Sequence, residues 1–146
     1  MEKWDRILSP ENILLDLQAK GSIAAIRELA GLLVDDDAIQ NHKQFVSDVI
    51  RREQNSTTGI GHGVAVPHAH EDFINRQILA LGISRTGVDF GSVDGNPVHI
   101  IALLATPSAL RLWWWACRWP DLSCCQCHRV PGDRHRRSAD VRQPVE

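Results

Sequence analysis

The sequence predicts an α/β domain, a sheet covered by helices. Three observations lead there. Two segments with helical period come first, three apolar runs of strand length follow, and the connections between them are short and rich in turn residues. At 146 residues the chain is long enough for one core, and its 43% hydrophobic and 23% charged content is ordinary for a globular domain.

Ser9-Pro10-Glu11-Asn12 opens a turn, and Ile13 to Leu17 reads as a brief strand or helix edge. Ser22 is the expected N-cap of a helix to about Val34, with Ile23, Ile26, Leu29, Ala30 and Leu33 along one face. Asp35-Asp36-Asp37 would oppose the macrodipole at a helix C-terminus, so the helix should stop before them. Asn41 caps a second helix, with Gln44 as its capping-box partner and Phe45, Val46, Val49 and Ile50 as the buried stripe. Arg51, Arg52 and Glu53 fall in the last turn of this helix, where cations are favoured.

Asn55 to Gly59 reads as a polar loop. Val64-Ala65-Val66, Ile78 to Ile83 and Val98 to Leu104 read as buried strands. Thr86-Gly87 and Asp94-Gly95-Asn96-Pro97 are turn signals between them. No internal repeat is present.

The chain changes character near Leu110. Residues 1–106 carry a net charge of −5, whereas residues 107–146 carry +3 from seven Arg and four acids, with no Lys. All four Cys and four of the five Trp also fall in the second segment. A domain over 1–106 and a disordered tail over 107–146 are therefore expected. Trp, Cys and Arg together are what a GC-rich gene yields when read out of frame. A frameshift between about Thr106 and Leu112 accounts for the tail; a genuine divergent tail is the alternative, and resequencing decides. The tryptophan run would then aggregate or be buried against an unfinished sheet.

Several function classes are set aside. The longest apolar runs, such as Ile100 to Ala105, are too short for a bilayer. The opening Met1-Glu2-Lys3-Trp4-Asp5-Arg6 does not read as a secretory signal, so a cytoplasmic protein without membrane insertion is expected. A net charge of −2 gives no case for nucleic-acid binding.

The chemistry is concentrated in Gly59-Ile60-Gly61-His62-Gly63-Val64-Ala65-Val66-Pro67-His68-Ala69. A proline fixes the backbone just before His68 and holds its imidazole at the end of a buried strand, facing solvent. Such a histidine suits attack on phosphorus through one ring nitrogen while the other stays protonated and oriented. Taken alone, His68 also reads as an ordinary histidine after a turn proline. His62, His68 and His70 invite a zinc reading, but two of them flank the strand in glycine-rich loop rather than at recognisable ligand spacing. Cys124, Cys125, Cys127 and His128 hold one Cys-x-x-Cys without a second pair, and disulfides do not suit a cytosolic chain. No Gly-x-x-x-x-Gly-Lys is present. Neither a metal nor a cofactor is expected.

Glu53, Ile60, Gly61, Val64, Ala65, Val66, Pro67, His68 and Ala69 together resemble the signature of the type-2 IIA domains of the bacterial phosphotransferase system, the fructose, mannitol and nitrogen-regulatory kind. The resemblance runs over roughly Leu8 to Pro107. It includes Leu8 to Ile13, Arg52-Glu53, Ser56 to Gly59, Val88-Asp89-Phe90 and Asp94 to Val98. It implies a mixed β-sheet covered by helices and a phosphocarrier role. His68 would accept a phosphoryl group from the histidine-containing phosphocarrier protein. It would pass the group to a cysteine of a IIB domain, or hold it as a regulatory signal.

Arg52 matches the arginine that lies near the phosphohistidine in the family, and an arginine holds phosphate oxygens bidentately. The plain alternative for Arg52 is a solvated helix-end cation. Thr57 or Thr58 would hydrogen-bond the phosphoryl group or His68, unless both only build the loop. Glu53 reads as structural, His70 as a surface neighbour of the site, and His99 as a packed or edge residue.

The chain departs from the family after the third strand. Members carry a second active-site histidine there, then an amphipathic helix. This chain has Trp113-Trp114-Trp115 in that neighbourhood and no matching histidine. The C-terminal helices are thus missing or replaced. Two readings follow: an active phosphocarrier, or an inactive relative that keeps only a partner-binding surface.

Overall fold

The computed structural model describes residues 7–108. The expected tail, apart from Pro107 and Ser108, lies outside the described residues, as do the expected frameshift interval beyond Ser108 and the expected loss or replacement of C-terminal helices. A 3₁₀ helix at Pro10–Asn12 leads into β1 (Ile13–Leu14), then α1 (Ser22–Gly31) and α2 (His42–Asn55). Five strands follow: β2 (Gly59–Gly61), β3 (Val64–Ala65), β4 (His68–Glu71), β5 (Ile78–Val88) and β6 (Val98–Pro107).

Asn41 caps α2 as its residue type requires, the side-chain oxygen accepting Gln44 N–H at 3.2 Å. The reciprocal half of the expected capping box is not made, because the Gln44 amide reaches forward to Asp48 at 3.0 Å. Ser22 is not a cap. It is the first helical residue of α1, Gly21 stands before it in extended conformation, and no side-chain cap bond forms. Regular helix ends at Gly31; the backbone then tightens through Leu32→Leu29 and Leu33→Ala30 bonds before the three acids. Asp36 caps Ala38 N–H with its carboxylate, and both Asp36 and Asp37 pair with Arg76.

The six strands form one mixed sheet in the order β1-β5-β6-β3-β2, with β4 also on β6. β5 and β6 are antiparallel and form its centre, while β1 on β5 and both β3 and β4 on β6 are parallel. Thr86-Gly87 does not break the strand as expected. β5 runs on to Val88, absorbing the dipeptide in an irregular stretch between Ile83 and Val88. Asp94 to Pro97 does turn, with Gly95 N–H bonded to Ser92 O.

The helices cover one face of the sheet. Phe45, Ile26, Leu29, Leu33, Val49, Ile78, Ile101 and Leu103 are fully buried between them. The alternation along β5 leaves Leu79, Leu81 and Ile83 half-buried on the other face, with Ala102 and Leu104 of β6. Ile100 is 44% exposed. Among the described residues no helix is long and apolar enough to cross a membrane.

Candidate functional site

β3 and β4 are one extended line interrupted by Val66-Pro67. Val64 and Ala65 pair with Ile100 and Ile101, and the same offset resumes at His68↔Leu104, Ala69↔Ala105, His70↔Thr106 and Glu71↔Pro107. Proline has no N–H for the ladder, so the line breaks at Pro67, yet Pro67 O still accepts Leu104 N–H at 2.9 Å. His68 therefore opens a strand, where the sequence placed it on a turn after one. The two-residue strand period then sorts the side chains. Ala69 is buried, and Glu71 meets Asp48 and Arg51 of α2. His68 and His70 share the opposite face, with ring centroids 5.3 Å apart.

His68 is half-buried. Its Nδ1 lies 2.9 Å from Val66 O, and a carbonyl can only accept. The ring proton is therefore on Nδ1, and Nε2 keeps a lone pair. Burial lowers the pKa of the ring first; the Val66 bond partly opposes that, and the Arg52 charge adds to the lowering. A neutral imidazole with an unprotonated Nε2 is the nucleophilic form.

Arg52 reaches the same place from the last turn of α2. Its Nη1 donates to Ser56 O at 2.8 Å, and its charge acts on both His68 and His70. The adjoining Glu53 is buried. Its carboxylate accepts Thr58 N–H at 3.0 and 3.2 Å and the Thr58 hydroxyl at 2.5 Å. The Thr57 hydroxyl donates to Phe90 O at 2.6 Å and accepts Gly59 N–H at 3.0 Å. Of the four residues singled out, His68 and Arg52 thus come together electrostatically. The hydroxyl protons of Thr57 and Thr58 go to Phe90 O and Glu53, and both side chains fasten the loop.

The glycines in front of the motif serve a frame. β2 and β3 form a hairpin whose two loop residues, His62 and Gly63, both have positive φ (54° and 74°), as in the type I′ turn that matches strand twist. Asp94 holds this turn by accepting His62 N–H at 2.9 Å; that bond, and another from Asn96 N–H, keep its carboxyl well below the usual carboxylate range. Gly59 packs against the next loop so closely that a Cβ there would lie 2.9 Å from Ser92 Cα. Ser92 is buried and accepts Gly61 N–H at 3.1 Å.

Ser92, Asp94 and Thr106 were not anticipated from the sequence as site supports. Their partners lie more than thirty positions away, and only the fold brings them together. His99 is exposed and donates from Nδ1 to Ser84 O at 2.9 Å, tying β6 to β5. Among the described residues no three His, Cys, Asp or Glu side chains gather as metal ligands.

With this geometry in hand, the relatives are informative. Residues 6–111 match the family described as phosphoenolpyruvate-dependent sugar phosphotransferase system, EIIA 2. The chain is 31% identical over 103 residues to a "PTS system fructose-specific EIIABC component" of Bacillus subtilis, covering 70% of this chain and 16% of that protein. It is also 31% identical over 85 residues to a "PTS system fructose-specific EIIA component" of Haloferax volcanii, covering 58% of this chain and 55% of that protein. The chain thus spans only part of the length of these relatives. Among solved structures, the nitrogen regulatory protein IIA-Ntr of Neisseria meningitidis superposes with a TM-score of 0.65 at 29% identity, over 71% of this chain and 70% of that one. The mixed sheet, the two helices on one face and the matched 6–111 span agree: this chain belongs to the type-2 EIIA family of the phosphoenolpyruvate-dependent sugar phosphotransferase system.

Proposed function

We propose that the chain is a cytoplasmic phosphocarrier that takes a phosphoryl group on His68 Nε2 and passes it on. The donor is the histidine-containing phosphocarrier protein. The acceptor is a IIB domain in sugar uptake, or the phosphorylated state itself serves as a regulatory signal. The observation that carries this reading is the tautomer of His68: Nδ1–H is tied to Val66 O, and Nε2 is left as a neutral nucleophile within the electrostatic reach of Arg52.

In the transfer, the Nε2 lone pair forms a bond to phosphorus as the bond from phosphorus to the donor's nitrogen breaks, and that bond's electron pair leaves with the donor. The His68 ring becomes cationic and keeps its proton on Nδ1, donated in a hydrogen bond to Val66 O, so no general base is needed. Such a reaction asks the protein mainly for alignment and charge stabilisation. Arg52 supplies positive charge to the phosphoryl oxygens, while Thr57 and Thr58 hold the loop between α2 and β2 and stay off the phosphoryl group. The relatives' names support both directions of use, since one joins EIIA to B and C parts of a fructose component and another is a nitrogen regulatory protein.

The test is incubation of the full chain with phosphoenolpyruvate, enzyme I and the phosphocarrier protein, followed by intact mass at alkaline pH. One added phosphoryl mass is expected, absent in His68→Ala. No added mass on a folded wild-type chain would instead identify an inactive relative that keeps a partner surface.

A further inference from the structure

We infer that His70 is a second imidazole of the phosphoryl site: once His68 is phosphorylated, His70 takes a proton from solvent on Nε2 and donates it to a phosphoryl oxygen. The inference rests on His68 being the acceptor, as proposed above, and assigns a chemical task to a residue outside the signature.

The geometry comes from strand period and register. His68 and His70 are two apart on β4 and therefore share a face, with their rings 5.3 Å apart and tilted by 50°. His70 stands directly opposite Thr106 of β6, and its Nδ1 is hydrogen-bonded to the Thr106 hydroxyl. That hydroxyl is fully buried and donates its own proton to Ala69 O at 3.3 Å. With its proton directed to Ala69 O, the hydroxyl accepts from His70 Nδ1–H, which leaves the lone pair of His70 on Nε2. The two rings are thus set alike, each with Nδ1–H anchored inward and Nε2 available.

The charges around His70 explain why it waits for the phosphoryl group. His70 keeps an exposed edge; in the free protein its pKa is pushed down to about 4, first by desolvation of the inner part of the ring, then by the charges of His68 and Arg52. His68 comes from its own strand and Arg52 from α2, while β6 offers it the uncharged Thr106. Glu71, Asp48 and Arg51 form a separate group where the other side of β4 meets α2. His70 is accordingly neutral at neutral pH and adds no third positive charge to an empty site. A phosphoryl group on His68 brings about two negative charges within reach of the ring. The influence of His68 then changes from repulsion to attraction, and protonation of His70 Nε2 becomes favourable. The proton comes from water, and the anchored Nδ1–H keeps the ring in place. Arg52 and protonated His70 would then share the phosphoryl oxygens as two charge-assisted donors.

The experiment is histidine-resolved NMR titration of the full chain, free and with phosphorylation maintained by phosphoenolpyruvate, enzyme I and the phosphocarrier protein. His70 is expected to titrate near 4 in the free chain and above 6 in the phosphorylated one. His70→Ala should still gain the phosphoryl mass but lose it to hydrolysis about tenfold faster, the scale of one charge-assisted hydrogen bond. His70→Gln keeps a neutral donor. It should recover part of that lifetime and lose the pH dependence near neutrality. An unchanged His70 titration on phosphorylation, or an unchanged phosphoryl lifetime in a folded His70→Ala or His70→Gln, overturns the inference while leaving His68 as acceptor. A folded wild-type chain that gains no phosphoryl mass removes the phosphocarrier reading and this inference together.

Discussion

The two faces of the sheet divide the labour of this domain. Toward α1 and α2, Ala65, Ala69, Ala80, Ile101, Leu103 and Ala105 are almost wholly buried. On the other face Leu79, Leu81, Ile83, Ala102 and Leu104 are half-buried, Ile100 is 44% exposed, and His68 and His70 stand among them. Adjacent residues of β4 thus belong to different regimes: Ala69 is part of the core, and the histidines on either side of it face the site. The stability of the described domain resides on the first face and the groups of the proposed phosphoryl site on the second, so substitutions should separate into those that move folding and those that move the proposed phosphoryl transfer.

The largest break should come from the covered face. Leu103→Ala removes a fully buried side chain between β6 and the helices and should cost about 2–5 kcal/mol in chemical denaturation. Ile100→Ala, on the same strand but the open face, should cost under about 1.5 kcal/mol, because much of that side chain is already in water. Equal losses would show that something covers the second face as closely as the helices cover the first.

Arg52→Ala should do the opposite of Leu103→Ala. The fold keeps its core, and phosphoryl uptake slows by about 10²-fold, as when one charged donor is taken from a developing anion. Quenched-flow uptake with intact-mass detection measures it, and an unchanged rate would return Arg52 to helix capping through Ser56 O. Glu53→Ala tests the frame behind the site. It leaves Thr58 N–H and hydroxyl buried without their acceptor, and should cost about 1–3 kcal/mol in stability.

These contrasts also show what was legible in the sequence. Helix α2 was readable because Asn41, Phe45, Val49 and Arg52 all follow local rules; it runs on to Asn55, so its last turn holds Arg52 and Glu53 but not the expected Arg51. The family signature around His68 was readable because its residues are nearly contiguous. The N-terminal edge of α1 was misread because a serine before an apolar run signals a cap, whereas the extended residue here is Gly21. The Thr86-Gly87 turn was misread because a long antiparallel strand tolerates an irregularity that a local rule treats as a stop. β2 and β4 were missed for a different reason: three and four residues carry too little period, and their strand character comes from partners on β3 and β6. Thr106 and Asp94, which hold His70 and the His62 turn, lie thirty-six and thirty-two residues away in sequence. Strand register brings Thr106 to His70, and the β5–β6 loop brings Asp94 to the His62 turn.

Acid pH should sharpen the same contrast. His70 is held down to about 4 in the folded chain and stands at its ordinary 6.5 when unfolded, so between those values the unfolded chain binds more protons. Stability from this source is complete above 6.5 and is lost as pH falls toward about 4. His70→Gln should therefore flatten the stability profile in that window. An unchanged slope would mean that the ring is as easily protonated in the folded chain as in water.

The smallest expected effect carries the most informative sign. Ser84 lies on the covered face of β5, 1% exposed, and its hydroxyl has no hydrogen-bond partner among the described residues. Its backbone carbonyl is engaged by His99, but that bond does not involve the side chain. Folding therefore strips water from the hydroxyl without replacing it. Ser84→Ala removes the oxygen, leaves the backbone bond to His99 intact and opens a void smaller than a methyl group. The orphaned hydroxyl costs about 1–3 kcal/mol and the void returns part of that, so a net gain of up to about 1 kcal/mol is expected. A raised denaturation midpoint with unchanged m-value measures it. A loss of stability would mean that the hydroxyl has a partner after all, and that the covered face of the sheet is wetter than its burial implies.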